Sequence, residues 1–429
     1  MRGRRVSGRR LVIAAVVAVL AGCAGSASPS TRPSSVATTS SIPTPSASTG
    51  PTPVIVDTDM GADDVMALLY LLRDPTVTVE AIVVSGTGLA HSSNGTQVAS
   101  NLLEALGAGD IPLGLGADTP MAGTRAFPAD WRSGTDAGYG LALKPAPFSP
   151  QPGVDLLSAT IGSSATPVTI LTLGPLTDLG QMLSAEPSLA AKIAHVHVSG
   201  GAISVPGNVA AEGGDPAATA AEWNLWIDPK ADDIVLRSGI PITLVPLDAT
   251  GQLPLTPAFR EVLAEDHAAA GADIVYELLT RSASLLAGNK FWDQLATVVL
   301  TDPSAATFAE ARVKVVTDGA AGGSLVQDAS GTPLTYAASP DATRFESSFL
   351  AGLRRGNART SPFTVAGTLH GSFDGSTCSG TPSSTLTPGS YAVEYESTAA
   401  ADTLFAVIRL HAGATWSQVL DFEVRRADP

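Results

Sequence analysis

VIVDTDMGADD, residues 54–64, decides how the chain is read. An apolar run, Val54–Val56, leads straight into Asp57, Asp59, Asp63 and Asp64. The run reads as a short buried strand. Residues 63–72 read as a helix with Val65, Leu68, Leu69 and Leu72 on one face. The acids therefore fall where a strand ends and a helix begins. Acid at a helix start is favourable, because the backbone N–H groups there carry partial positive charge. That accounts for one or two carboxylates. Four so close together repel one another, and a hard cation taking oxygen ligands would neutralise them. Calcium tolerates the irregular geometry of such a turn better than magnesium. A solvated, capped turn is the alternative.

The same alternation continues outward. VEAIVVSG (79–86) reads as a second strand, 97–106 as a helix, and IPLGL from Ile111 as a third strand. PVTILTLGP (167–175), KIAHVHVSGG (192–201) and IPITLVPLD (240–248) read as further strands, with a helix from about Thr256. Continuous Val, Ile and Leu strands between amphipathic helices predict an α/β fold with a mostly parallel open sheet flanked by helices. Ligands of such sheets lie beyond the carboxyl ends of the strands, where Asp59–Asp64, Gly86, Leu173 and Gly200 fall. RFESSFLAGLRRG reads as the last helix, ending near Arg355. After it, short alternating runs such as SYAVEYES and LFAVIRL predict a small C-terminal all-β domain.

The chain has 429 residues and a formal net charge of −15. Five arginines lie in the first ten residues, so a processed chain would be more acidic still. No basic patch remains to track a phosphate backbone, and nucleic acid is excluded as a partner. The acidic surface permits a homo-oligomer. The start, MRGRRVSGRR, then LVIAAVVAVL, then AGCAG, is a basic region, an apolar core and small residues, the pattern of an export signal. Leu20–Cys23 resembles the bacterial lipoprotein cleavage box, which implies lipidation of Cys23 and anchoring on the extracytoplasmic face of the cell membrane. Residues 24–53 are mostly Ser, Thr, Pro, Ala and Gly, which cannot build a core. The expected division is a signal over 1–22, a disordered tether over 23–53, an α/β domain over 54–355 and a β-rich domain over 356–429. Cys378, the other cysteine, lies in the last and has no evident partner.

DTDMGADD resembles the DTDxGxDD signature of the nucleoside hydrolases, the inosine–uridine-preferring family of N-ribohydrolases. Later segments follow in the family's order: LTLGPLTDLG (171–180), VHVSGG with Gly207–Asn208, AEWNLWIDPKAD (221–232) and FWDQLA (291–296). The likeness runs over roughly Val54–Leu353. It implies a calcium-dependent hydrolase that splits ribonucleosides by direct attack of water. On this resemblance Asp59 binds calcium and holds the attacking water as the catalytic residue. Asp64, the Leu173 carbonyl and Asp293 complete the metal shell, and Asp57 shapes the site. Asp63, Asn208, Glu222 and Asn224 bind the ribose. A hydrolase of another ribosyl-like substrate and a non-catalytic sugar- or nucleoside-binding lipoprotein are the alternatives.

Three departures bear on the leaving group. Leu89 stands near a family asparagine, and Ser199 replaces a methionine. Trp292 occupies the place of the histidine associated with protonating the base. An indole can stack on a base but cannot deliver a proton at neutral pH. Trp292 is therefore expected to line the substrate, and His91 is the nearest candidate for the leaving-group side. His195 and His197 alternate along one strand and read as structural. Trp223 and Trp226, beside the Glu222/Asn224 pair, are candidates to meet the base. The Gly-, Asp- and aromatic-rich stretch 126–141 reads as an active-site loop.

Overall fold

The computed structural model describes residues 50–149 and 151–359, together with the backbone of five later strands. The signal, nearly all of the tether, Cys23 and Cys378 lie outside the described residues. No helix among the described residues is long and apolar enough to cross a membrane.

Nine strands form one sheet: β1 (Thr52–Thr58), β2 (Val77–Val84), β3 (Leu113–Leu115), β4 (Val168–Thr172), β5 (Ile193–Ser199), β6 (Ile242–Val245), β7 (Ala306–Val315), β8 (Leu325–Gln327) and β9 (Thr332–Pro340). Their order across the sheet is β3-β2-β1-β4-β5-β6-β9-β7-β8. The first seven in that order pair in parallel, whereas β7 runs antiparallel to β9 and β8. The mostly parallel sheet agrees with the sequence. The antiparallel edge does not appear in that reading, because ATFAEARVKV alternates buried and exposed positions only irregularly.

The helices are α1 (Ala62–Leu71), α2 (Ser92–Leu106), α3 (Ala129–Asp136), α4 (Gly153–Ser163), α5 (Thr177–Ala185), α6 (Trp223–Ile227), α7 (Pro229–Leu236), α8 (Leu247–Thr250), α9 (Pro257–Glu265), α10 (Ala270–Arg281), α11 (Trp292–Thr301) and α12 (Ala342–Leu353). They cover both faces of the sheet, which explains why the central strands are mostly apolar on both faces. In β1, Val54 and Val56 bury into one apolar layer with α1, α2, α10, α11 and α12. Ile55, between them, buries into the other layer with α4, α5 and α7. Adjacent strands repeat the division: Ile82 and Val84 against Ala81 and Val83, and Leu171 against Ile170. Period-two alternation thus splits one hydrophobic run between two cores.

Beyond α12, Arg359 is buried and ion-pairs with Asp273 and Glu277 of α10 at 2.5 and 2.8 Å. The later strands are β10 (Gly371–Ser372), β11 (Ser390–Tyr391), β12 (Glu394–Ser397), β13 (Thr403–Ala412) and β14 (Thr415–Arg425). They form antiparallel sheets of two and three strands.

Candidate active site

The carboxyl ends of β1, β2, β4 and β5 open on one place, and β1 supplies its first acids. Asp57 still belongs to the strand, in register with Val83 and Thr172. The chain then turns sharply, Met60 taking a left-handed φ of 59° while fully buried. Side chains hold the turn. Asp59 Oδ1 accepts from the Gly61 N–H at 3.3 Å. Asp64 Oδ1 accepts from the Asp59 N–H at 3.1 Å and from the Thr58 hydroxyl. Asp63 and Asp64 then occupy the first turn of α1, where the helix dipole favours negative charge.

The far side comes from α11. Asp293, 2% exposed, lies in its first turn. One carboxylate oxygen from each of Asp63, Asp64 and Asp293 falls within 4.8 Å of the others. Asp59 stands beside this trio, and its Oδ2 accepts from the Leu89 N–H at 3.1 Å. Burial, and then mutual repulsion, pushes Asp59, Asp64 and Asp293 well above the ordinary carboxylate range. Burial also raises Asp63, to about 6. No lysine or arginine is among the main groups acting on these four. A mostly buried, all-oxygen, anionic donor set without a basic partner among its main neighbours fits a hard divalent cation. Of the expected shell, Asp64 and Asp293 stand in the trio and Asp59 adjoins it. Asp63, expected on the sugar, shares the trio with them.

The Leu173 carbonyl follows β4, its N–H donating to the Asp57 carbonyl at 2.8 Å. Asn224 Nδ2 donates to the Leu173 carbonyl at 3.0 Å and to the Ser199 carbonyl at 3.1 Å. Asn224 therefore braces the carbonyl expected in the metal shell. Glu222 caps the N-terminus of α6: Oε1 accepts from the Asn224 N–H, and Oε2 from the N–H groups of Gly201 and Leu225. Burial lifts it to about 6 even so. Asn208 accepts from the Trp223 N–H at 3.2 Å and donates to Glu212 at 3.2 Å.

His91 is exposed at the N-terminus of α2, its Nδ1 2.7 Å from Asp136 Oδ2. Trp292, half-buried, opens α11 immediately before Asp293. Trp223 is buried, but as the first residue of α6 rather than in an extended segment. It stacks on Phe127 at 5.0 Å between ring centroids and meets Trp131 at 5.4 Å. The stretch 126–141 is not open loop throughout, because α3 occupies its middle. His195 bonds Thr243 at 2.8 Å, and burial drives His197 down to about 3, so both are neutral parts of the sheet.

Other residues escaped the sequence reading. Ser199, noted only for replacing methionine, stands beside Asp293 and lowers its otherwise raised value. Glu212 ties Asn208 to the Trp223 indole, which donates to it at 3.1 Å. Asp178, fully buried on α5, faces Asp57 and raises it further.

The family model for inosine-uridine preferring nucleoside hydrolases matches residues 54–347, the segment that carries every one of these groups. The chain belongs to that family. Among similar proteins is the pyrimidine-specific ribonucleoside hydrolase RihA of Salmonella paratyphi B, 35% identical over 216 residues, or 49% of this chain and 66% of that protein. RihA of Salmonella enteritidis PT4 is 36% identical over 200 residues, or 46% and 61%. The chain thus spans 61–66% of the length of these relatives. The solved structure of the plant nucleoside hydrolase PpNRh1 superposes with a TM-score of 0.62 at 29% identity, over 71% of this chain and 100% of the other. The inosine-uridine preferring nucleoside hydrolase of Bacillus anthracis gives 0.62 at 25% identity, over 71% and 99%. The family fold accounts for the sheet order and for the site at the carboxyl ends of its strands.

Proposed function

We propose that this protein is a calcium-dependent ribonucleoside hydrolase, cleaving the N-glycosidic bond to give ribose and a free base. The observation that carries the reading is the trio of half-buried Asp63 with buried Asp64 and Asp293, set beside Asp59 without a basic partner among the described residues, in a chain of this family. Similarity to RihA and to the two solved nucleoside hydrolases supports the same substrate class.

Asp59, Asp64, Asp293 and the Leu173 carbonyl would hold the cation, with Asp63 at its edge. When bound, calcium neutralises the acids and activates and orients water. The remaining work falls to the chain. As the C1′–N bond breaks, its electron pair passes to the base and positive charge grows on the ribose ring. The anionic pocket stabilises that charge. Asp59 takes the proton of the attacking water, and its carboxylate is fixed for this by the Gly61 and Leu89 N–H groups. Asp63, Asn208, Glu222 and Asn224 clamp the sugar hydroxyls and set the anomeric carbon toward the water. The order of attack and departure is direct, without a covalent sugar–enzyme intermediate.

Trp292 in place of a proton-donating histidine favours a second reading, a hydrolase of a different riboside. The deciding experiment is ribose release from a panel of purine and pyrimidine nucleosides, with calcium and after chelation. Calcium-dependent release, lost by orders of magnitude in Asp59→Asn, supports the first reading. Silence across the panel with calcium bound overturns it. We also propose anchoring through lipid on Cys23, supported by the LAGC box after an apolar run. Mass spectrometry of the N-terminal peptide from membranes tests it, and a cleaved peptide without added lipid would refute it.

A further inference from the structure

Tyr139 is held against its backbone preference. It sits at φ 56° and ψ 20° between Gly138 at φ 60° and Gly140 at φ 65°. Three successive residues are left-handed, and the middle one bears a large side chain. Glycine adopts this conformation freely, whereas a tyrosine there is strained. Backbone strain of this kind collects where a side chain is needed at a fixed point.

The turn is latched to the catalytic acids. Arg132 donates to the carbonyls of Gly86 and Ala90 at 2.6 and 3.0 Å. Asp136 accepts from the His91 N–H at 2.8 Å. The same loop holds Asp59, through the Ala90 N–H to its carbonyl at 2.9 Å and the Leu89 N–H to its carboxylate. The phenol bonds the buried Thr135 hydroxyl at 2.8 Å. Asp63, Asp64 and Asp59 act on it electrostatically, so it lies in the field of the metal-site acids. His91, expected to serve the leaving group, is instead turned to Asp136 and exposed.

We propose that Tyr139 contacts the substrate, its O–H donating a hydrogen bond to the departing base in a site where Trp292 cannot. This rests on the ribohydrolase reading above. Burial first, then the neighbouring aspartates, push the phenol well above its ordinary value, so it keeps its proton throughout the neutral range. With the Thr135 hydroxyl donating to the phenol oxygen, the phenol proton is free for the base. As the C1′–N bond breaks and the base takes the electron pair, the hydrogen bond stabilises the negative charge gathering on the base. Solvent protonates the base after it leaves.

The test compares wild-type protein with Tyr139→Phe on a nucleoside and on p-nitrophenyl riboside. The nitrophenolate leaves without a donor. The variant should lose roughly 100-fold in kcat/KM on the nucleoside, the size of a lost transition-state donor. On the aryl riboside it should stay within about threefold of wild type. Thermal melting shows whether both proteins are folded. Equal losses on the two substrates, or no loss on either, overturn the proposal. Calorimetry separates its failure from failure of the hydrolase reading. Nucleoside affinity should fall roughly tenfold in the variant, a typical cost for one hydrogen bond, while ribose affinity holds. That pattern with no turnover in wild type overturns hydrolysis and keeps the Tyr139 contact. Unchanged nucleoside affinity overturns the contact, and absence of nucleoside binding to wild type overturns both.

Discussion

A β-carbon on Gly88 would stand 2.1 Å from Asp59 Oδ2 and 2.2 Å from its Cβ. The loop after β2 therefore closes on Asp59, the proposed base, so tightly that no side chain fits between them. Its next residue supplies the N–H that fixes Asp59 Oδ2. Gly88→Ala should push Asp59 off its position. The expected result is a fall in kcat/KM of at least about 100-fold, since small displacements of catalytic groups cost that much. Steady-state kinetics beside a melting curve checks it. A variant of native activity would mean that Asp59 tolerates the shift and is not the positioned base.

The first-turn acids were legible because their chemistry and their secondary structure agree: an apolar strand delivers them, and a helix start accepts them. Asp293 was reachable only through resemblance, since it lies 229 positions beyond Asp64 and only folding brings the two together. The central strands were legible from composition, because both faces are buried. Glu222 and Asn224 were found, but their bonds to backbone were not. Whether a carboxylate meets a sugar or a row of N–H groups depends on where Gly201 and Leu225 stop in space. Tyr139 lies in the stretch 126–141 that composition marked as an active-site loop, but nothing in the sequence singled it out from its neighbours. A left-handed tyrosine between glycines looks in sequence like any glycine-rich turn.

Proton and metal should compete for the site. Asp59, Asp64 and Asp293 are raised well above the carboxylate range, and Asp63 to about 6, by burial without a counter-ion. A carboxyl with a raised folded-state value binds its proton more tightly folded than unfolded. Its contribution is complete below the unfolded value of about 4 and is lost as pH climbs through the folded one. The metal-free protein should therefore melt progressively lower from pH 5 to pH 8. Saturating calcium should remove the trend, and the gap between the two curves should widen with pH, because ligands must be deprotonated to bind. Parallel curves across that range would show that these carboxyls do not take up the cation.

Asp232 is a liability independent of the reaction. It lies fully buried on α7, with neither carboxylate oxygen hydrogen-bonded. Burial, followed by Asp228 and Glu222, pushes it well above its ordinary value. Asp232→Ala should stabilise the fold by about 1 kcal/mol, because an unsatisfied buried polar group costs about 1–3 kcal/mol and the small cavity returns part of that. The gain should be larger at pH 8 than at pH 5, where the carboxyl is already neutral. Denaturant titration at the two pH values decides it. A loss of stability would mean that Asp232 has a buried partner.

Asn224 should prove as important to the metal as to the sugar. Its Nδ2 reaches two carbonyls at once, Leu173 at 3.0 Å and Ser199 at 3.1 Å. It thereby joins the ends of β4 and β5, and Ser199 in turn stands beside Asp293. Removing the amide leaves the Leu173 carbonyl free to swing, and it loosens the strand end that carries this neighbour of Asp293. Supporting groups of this kind are worth about 10- to 100-fold in metal affinity. Asn224→Ala should therefore weaken calcium binding by at least about tenfold in a calorimetric titration without substrate. Asn224→Asp should be worse, since it sets a carboxylate against two carbonyls and adds charge beside an acidic cluster. If Asn224→Ala raised KM alone and left calcium affinity intact, the amide would serve the ribose only, and Leu173 would hold its carbonyl without help.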